Sequence, residues 1–261
     1  MRSLSIAATG MLAQQLNVEI ISNNIANMNT TGYKRRRAEF QDLLYQNQER
    51  VGSTSSDTGT IVPSGVQIGL GVKTSAVYMI TEQGNLVSTS NTFDLAINGE
   101  GYFQVTLPSG ETGYSRAGSF QLSPTGQIVT ADGYTVQPGI TIPNNSFGVT
   151  VNASGQVLVK LAGVVAEQNV GQLQLALFPN AAGLQAIGDN LFLETAASGT
   201  AQTGLPDSTG FGAILQNFLE TSNVNTVTEI TNLITAQRAY EMNSKVIQTS
   251  DEMLNTLTRM R

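Results

Sequence analysis

Residues 231–254 read TNLITAQRAYEMNSKVIQTSDEML. Leu233, Tyr240, Ile247 and Leu254 recur every seven residues, and Val246, Met253 and Met260 form a second sevenfold row beside them. No Gly or Pro interrupts the stretch from about residue 222 to residue 259. A heptad spacing held this far predicts one long helix with a coiled-coil seam. At ~1.5 Å per residue that helix spans roughly 55 Å, more than a small globular core can cover, so it needs partner helices.

A second helix is expected at the other end of the chain, over residues 3–27. Leu4, Ala8, Met11, Leu12, Leu16, Ile20, Ile21 and Ile25 fall at spacings of three and four, the helical period. Arg2 and Glu19 are the charged residues here, and the remaining polar positions are Gln, Asn, Ser and Thr. A helix without a charged face is expected to be in contact on both sides. Gly10 costs ~1 kcal/mol against Ala inside a helix; it is either simply tolerated or marks the close approach of another helix.

Between the two ends the pattern changes to β. Short alternating runs at residues 102–107 and 173–178 are separated by Gly, Asn, Ser and Pro clusters. SPTGQIV (123–129) and NASGQVLV (152–159) each put a Gly in a turn before an apolar strand, the pattern of β-hairpins. Residues 46–66 are rich in Ser, Thr and Gly and read as a linker or long loop.

The expected fold is therefore α+β: long N- and C-terminal helices forming a coiled-coil stalk, with an intervening antiparallel β domain. The expected divisions are a helix over 1–30, which joins 216–261 as an inner helical domain, a connecting region over 31–92, and a β-rich middle over 93–215. The stalk's apolar excess must find the stalks of other copies, which makes the chain the subunit of a helical polymer.

Composition narrows the chemistry. Cys, His and Trp are absent, so there is no disulfide framework, no thiolate nucleophile and no imidazole base or ligand. No cofactor or metal is expected. Residues 93–215 hold eight acidic and two basic groups and carry the whole net charge of −6, so the middle is expected to face solvent and the ends to pack. No apolar run approaches the ~18–20 residues of a membrane-spanning helix. The N-terminal apolar stretch is broken by Ser3, Ser5, Thr9 and Gly10, and its periodicity runs on to Ile25, so no cleaved signal is expected.

Candidate motifs resolve toward structure. GVQIGLGVKT (65–74) has Val72 before Lys73 where a phosphate-cradling loop needs Gly, so a strand with turns is the better reading. Asn98-Gly99-Glu100-Gly101 is a turn with no helical pattern after it. Asp94, Glu100, Glu111 and Asp132 sit beside turns, and nothing fixes two of them at a glycosidase separation. Lys34, Arg35, Arg36 and Arg37 follow directly after the first helix. In an acidic chain without interleaved aromatics beyond Tyr33 they are a poor case for nucleic acid. They are either a solvated run or a contact with acidic groups of a neighbouring copy.

Longer motifs carry a family resemblance. ISNNIANMNTTGYKRRRAEFQDLLYQ (21–46), FDLAINGEGYFQV (93–105), YSRAGSFQLSPTGQIVTADGYTVQP (114–138) and LETSNVNTVTEITNLITAQRAYEMNSKVIQTSDEML (219–254) occur in that order. Together they resemble the bacterial flagellar rod and hook family, the axial proteins. Hook proteins would carry a much larger middle region, so the likeness is to the rod side of that family.

The resemblance implies a non-enzymatic subunit of a rigid helical tube that transmits torque from motor to hook. It implies export through the flagellar type III apparatus without a cleaved signal, and polymerisation across the periplasm. The implied neighbours are other copies of itself, proximal rod proteins below, hook protein above, and the P-ring and L-ring proteins around it, with no nucleic acid. Subunit packing is then expected at Leu4, Ala8, Met11, Leu12, Leu16, Ile20, Ile25, Leu233, Tyr240, Val246, Ile247, Met253 and Leu254, and electrostatic contact at residues 34–37. Ile61, Val62, Pro63 and Val66 are expected to anchor the 46–66 stretch along neighbouring subunits. The competing reading is a secreted carbohydrate-active or adhesive β protein, which would not form uniform filaments.

Overall fold

The computed structural model describes residues 2–48, 65–163 and 166–260. It divides into two compact units, one made of Met1–Ile25, Arg36–Tyr78 and Thr226–Arg261, the other of Ala26–Arg35 and Met79–Asn225. The secondary structure is α+β: one long helix near each end of the chain, strands between them.

The first unit holds both helices, α1 (Arg2–Ala26) and α2 (Thr226–Arg259). Strand Arg36–Asp42 pairs with Val72–Met79, and Tyr45–Asn47 pairs antiparallel with Gln67–Gly69. The glycines of residues 65–74 therefore serve strands and a turn. Gly71 lies at φ +124°, and a Cβ there would collide with Thr9 Oγ1 of α1, so only glycine fits that approach. The same hydroxyl accepts the Val72 N–H at 3.3 Å.

Among its described residues the second unit is β-rich, with one short 3-10 turn. Its nine-stranded sheet is antiparallel at every pairing with a defined register, and a three-stranded sheet joins Ser146–Val151, Gln156–Leu161 and Gln168–Gln172. Strand Tyr102–Thr106 shows how the period of two builds the core. Phe103 enters one apolar cluster with Leu95, Phe120, Val157 and Leu175, while its neighbour Tyr102 enters a second with Tyr114, Phe178 and Phe192. Phe103 meets Phe120 edge-on, with ring centroids 5.0 Å apart, the arrangement that aromatic quadrupoles favour.

The two look-alike turn motifs fold alike. Ser123 Oγ accepts the Gln127 N–H at 3.0 Å, and Asn152 Oδ1 accepts the Gln156 N–H at 2.8 Å. Gly126 and Gly155 supply the left-handed residue in each case, at φ +82° and +77°. Each turn joins an antiparallel pair: Gln121–Leu122 with Ile128–Val129, and Ser146–Val151 with Gln156–Leu161.

Candidate functional site

The helix pair of the first unit sets its geometry. Ser250 Oγ donates to Ser3 Oγ at 3.4 Å, and Asn24 Nδ2 donates to Glu229 Oε2 at 3.3 Å. Between these contacts, a Cβ on Gly10 would stand 3.0 Å from Asn243 Nδ2. The residue numbers of each pair add to the same total, so α1 and α2 run antiparallel in constant register. Gly10 marks the close approach of another helix.

A sevenfold seam closes on α1, but it is Glu229, Ala236, Asn243 and Ser250. Glu229, Ala236 and Ser250 are buried, as are Ala7, Ala13, Ile21 and Asn24 on α1. The expected row lies beside that seam: Leu233, Ile247 and Leu254 are half-buried and Tyr240 is 42% exposed. Val246 and Met253 are exposed, as is Met260. The physical reason is volume. Small side chains let two helix axes come close, and large ones on the same line would hold them apart. On α1, Leu4, Ala8, Met11, Leu16, Ile20 and Ile25 are half-buried, whereas Leu12 is 67% exposed.

The four cations after α1 divide rather than act as a run. Lys34 is buried within the chain, unlike the three arginines that follow it. Its Nζ reaches Glu220 Oε1 at 2.5 Å and the Glu82 carbonyl at 2.8 Å. Arg35 is half-buried and pairs with Glu82 at 3.3 Å. Arg37 donates to the Tyr78 hydroxyl and stands over its ring, 5.3 Å from the centroid. Arg36 is exposed.

Glu220 is the hub that sequence reasoning missed. It is 1% exposed, and its carboxylate takes Lys34 and the Gly84 N–H on one oxygen and Arg116 Nε on the other, the last at 2.5 Å. The Arg116 guanidinium also donates to the carbonyls of Gly101, Ile97 and Gly99. The Glu220 carbonyl accepts the Gly32 N–H at 2.8 Å. Gly32 sits at φ +68°, where a Cβ would press on Ala117 N. One carboxylate thus ties together four separate stretches of the second unit.

Burial works against the Glu220 carboxylate, but the Arg116 charge and the Lys34 hydrogen bond outweigh it and hold its pKa below the ordinary 4.5. For Lys34, burial lowers the ammonium's pKa from 10.5 despite the pull of Glu220. The only sequence signals were a lone Arg inside YSRAGSF and a lone Glu inside FLETSN, charged residues among small and apolar ones.

Ile61, Val62 and Pro63 lie outside the described residues. Val66 is exposed, and its carbonyl accepts the Gln48 N–H at 2.8 Å. Among the described residues no cluster of acidic side chains could hold a metal ion, and no helix is long and apolar enough to cross a membrane.

Three family models match the chain in order: "Flagella basal body rod protein" over residues 4–34, "Flagellar hook protein FlgE/F/G D1 domain" over 96–159, and "Flagellar basal body rod FlgEFG protein C-terminal" over 215–260. Paired end helices and a β-rich middle are here the parts of a flagellar axial protein. The flagellar basal-body rod protein FlgG of Caulobacter vibrioides is 63% identical over 261 residues, covering 100% of both chains. That of Agrobacterium fabrum is 53% identical over 259 residues, covering 99% of each. The chain belongs to the FlgG family, the distal rod proteins of the flagellar basal body. It is a structural rod subunit, and the carbohydrate-active or adhesive reading has no support. A crystal structure of the Helicobacter pylori flagellar hook protein FlgE2 is similar at 14% identity and a TM-score of 0.24, over 72% of this chain and 43% of that one. That likeness is too slight to argue from.

Proposed function

We propose that the chain polymerises through its end helices into a helical tube, a drive shaft that carries torque to the hook and catalyses no reaction. The carrying observation is the outward face of the helix pair. Leu12, Ile230, Ile234, Tyr240, Val246 and Met253 are exposed, while the buried positions of the pair are, Ile21 apart, small or polar side chains. Large apolar groups left outside a seam gain most from the helices of other copies. Residues 1–30 with 216–261 act in this reading as the assembling stalk, and residues 93–215 as its β domain.

Membership of the rod family supports a set of further neighbours in this reading. They are proximal rod proteins and hook protein along the axis, the P-ring and L-ring proteins around it, and the type III apparatus that exports the chain into the periplasm. The test is assembly of Tyr240→Asp and Ile247→Asp, followed by sedimentation and electron microscopy beside thermal unfolding of the β unit. Both variants should stay monomeric with unchanged unfolding, since burying an unpaired carboxylate costs several kcal/mol per subunit. Normal filaments from both would place the contact elsewhere.

A further inference from the structure

The helix pair carries a groove of about 510 Å³, lined by Gln15, Val18 and Glu19 of α1 and Gln237, Tyr240 and Glu241 of α2. Its chemistry is mixed in one particular way. Val18 and the Tyr240 ring give apolar and aromatic surface, and Glu19 and Glu241 add two carboxylates. Glu19 Oε1 accepts the Gln15 side-chain amide at 3.1 Å, which orients it without neutralising it. Arg238 and Lys245 flank Glu241 on the same helix, yet no ion pair among the described residues joins either to Glu241. A ring beside two carboxylates suits a guanidinium: it stacks flat on the aromatic face, its stem covers apolar surface, and its fork pairs with carboxylates. An ammonium could use only part of this.

One exposed side chain in the same chain is built to supply that group. Arg36 begins the strand Arg36–Asp42, and its backbone is pinned on both sides by one buried residue. Its N–H donates to Asn24 Oδ1 at 2.9 Å, and its carbonyl accepts from Asn24 Nδ2 at 2.9 Å. The neighbouring cations are committed within the chain, Lys34 to Glu220, Arg35 to Glu82 and Arg37 to Tyr78. None of the ion pairs among the described residues involves Arg36. Because its backbone is already fixed, binding the guanidinium orders the Arg36 side chain alone and not the segment that carries it.

We propose that Arg36 of one copy docks in the Glu19–Tyr240–Glu241 groove of a neighbouring copy. This contact rests on the assembly reading and gives it a register, because it joins one residue of each subunit to one place on the next. The apolar face supplies adhesion that tolerates sliding; a buried guanidinium between two carboxylates does not tolerate it.

The chain has no cysteine of its own, so the contact can be read by cross-linking on a clean background. Arg36→Cys and Glu241→Cys chains are mixed, assembled and treated with a short bis-maleimide. A covalent dimer should form from the mixture and from neither variant alone. In parallel, Arg36→Glu should raise the concentration needed for assembly roughly tenfold, and Arg36→Glu with Glu241→Arg should recover most of it. The charge swap decides the matter where a cysteine itself blocks assembly. Normal filaments that yield no mixed dimer, or a double swap no better than Arg36→Glu, overturn the docking and leave the assembly reading intact. A wild-type chain that stays monomeric at high concentration removes both.

Discussion

The two units spend their large side chains in opposite directions. In the β unit Phe103, Phe120, Leu95 and Leu175 are all but fully buried, and the charges of Lys34, Arg116 and Glu220 are drawn inside with them. In the helical unit the buried positions of the two helices are mostly small or polar, Ala7, Ala13, Asn24, Glu229, Ala236 and Ser250, with Ile21 the large apolar side chain among them, while Leu12, Ile230, Ile234 and Met253 are exposed. The β unit therefore has a core of its own. The helical unit has a close-fitting seam whose one large buried apolar side chain among those described is Ile21, and at ~25 cal/mol per Å² such a seam contributes much less stability than the β core. Under the proposed assembly, one part of the subunit is expected to fold alone and the other to be completed by neighbours.

The sharpest way to break this comparison is amide hydrogen exchange on dilute, monomeric protein. Amides of α1 and α2 should exchange through openings ~5 kcal/mol or more cheaper than those of the strand Tyr102–Thr106. Equal protection in both units would mean that the helix seam is stable without other copies.

Removing the hub of the β unit should have the next largest effect. Glu220→Ala leaves two buried cations unpaired and should destabilise that unit by about 3–5 kcal/mol in denaturant unfolding. A loss under ~1 kcal/mol would show that water reaches the network. Acid probes the same site more gently. Because the folded-state pKa of Glu220 is depressed, its contribution is fully present above 4.5 and is lost as pH falls from there through the folded value. Thermal unfolding of wild-type protein should therefore fall over that acid window, and Glu220→Gln should fall less steeply. Parallel curves for the two would assign the acid sensitivity to other carboxylates.

The smallest expected effect lies in the helix seam. Gly10→Ala gains up to ~1 kcal/mol of helix propensity but puts a methyl 3.0 Å from the Asn243 side-chain amide, which must turn aside. The net change in helix-unit stability, measured in the assembled state, should stay within about 1 kcal/mol. A loss above ~2 kcal/mol would show that Asn243 is held rigidly.

Much of this was written in local sequence. The period of 3.6 placed both helices, the period of two placed Tyr102 and Phe103 on opposite faces, and the SxxGQ and NxxGQ motifs foretold two like turns. These are short-range properties: a side chain's direction follows from the backbone repeat, and a turn follows from one glycine and one side-chain acceptor. The family, too, is carried by ordered motifs along the chain.

What the sequence left undecided is which of several rows would do which work. Two sevenfold rows of large residues stood out on α2, yet the row that meets α1 is Glu229, Ala236, Asn243 and Ser250, because close packing selects for small volume as well as for hydrophobicity. Lys34, Arg35, Arg36 and Arg37 looked like one basic cluster; the fold sends the first inside, pairs the second and fourth, and leaves the third exposed. Glu220 and Lys34 are 186 residues apart in the chain, and Glu220 and Arg116 are 104 apart. No periodicity links residues at such separations. Periodicity determined the elements and the side chains' faces; only the tertiary structure decided which charges meet, because that depends on where distant backbones cross and how much room they leave.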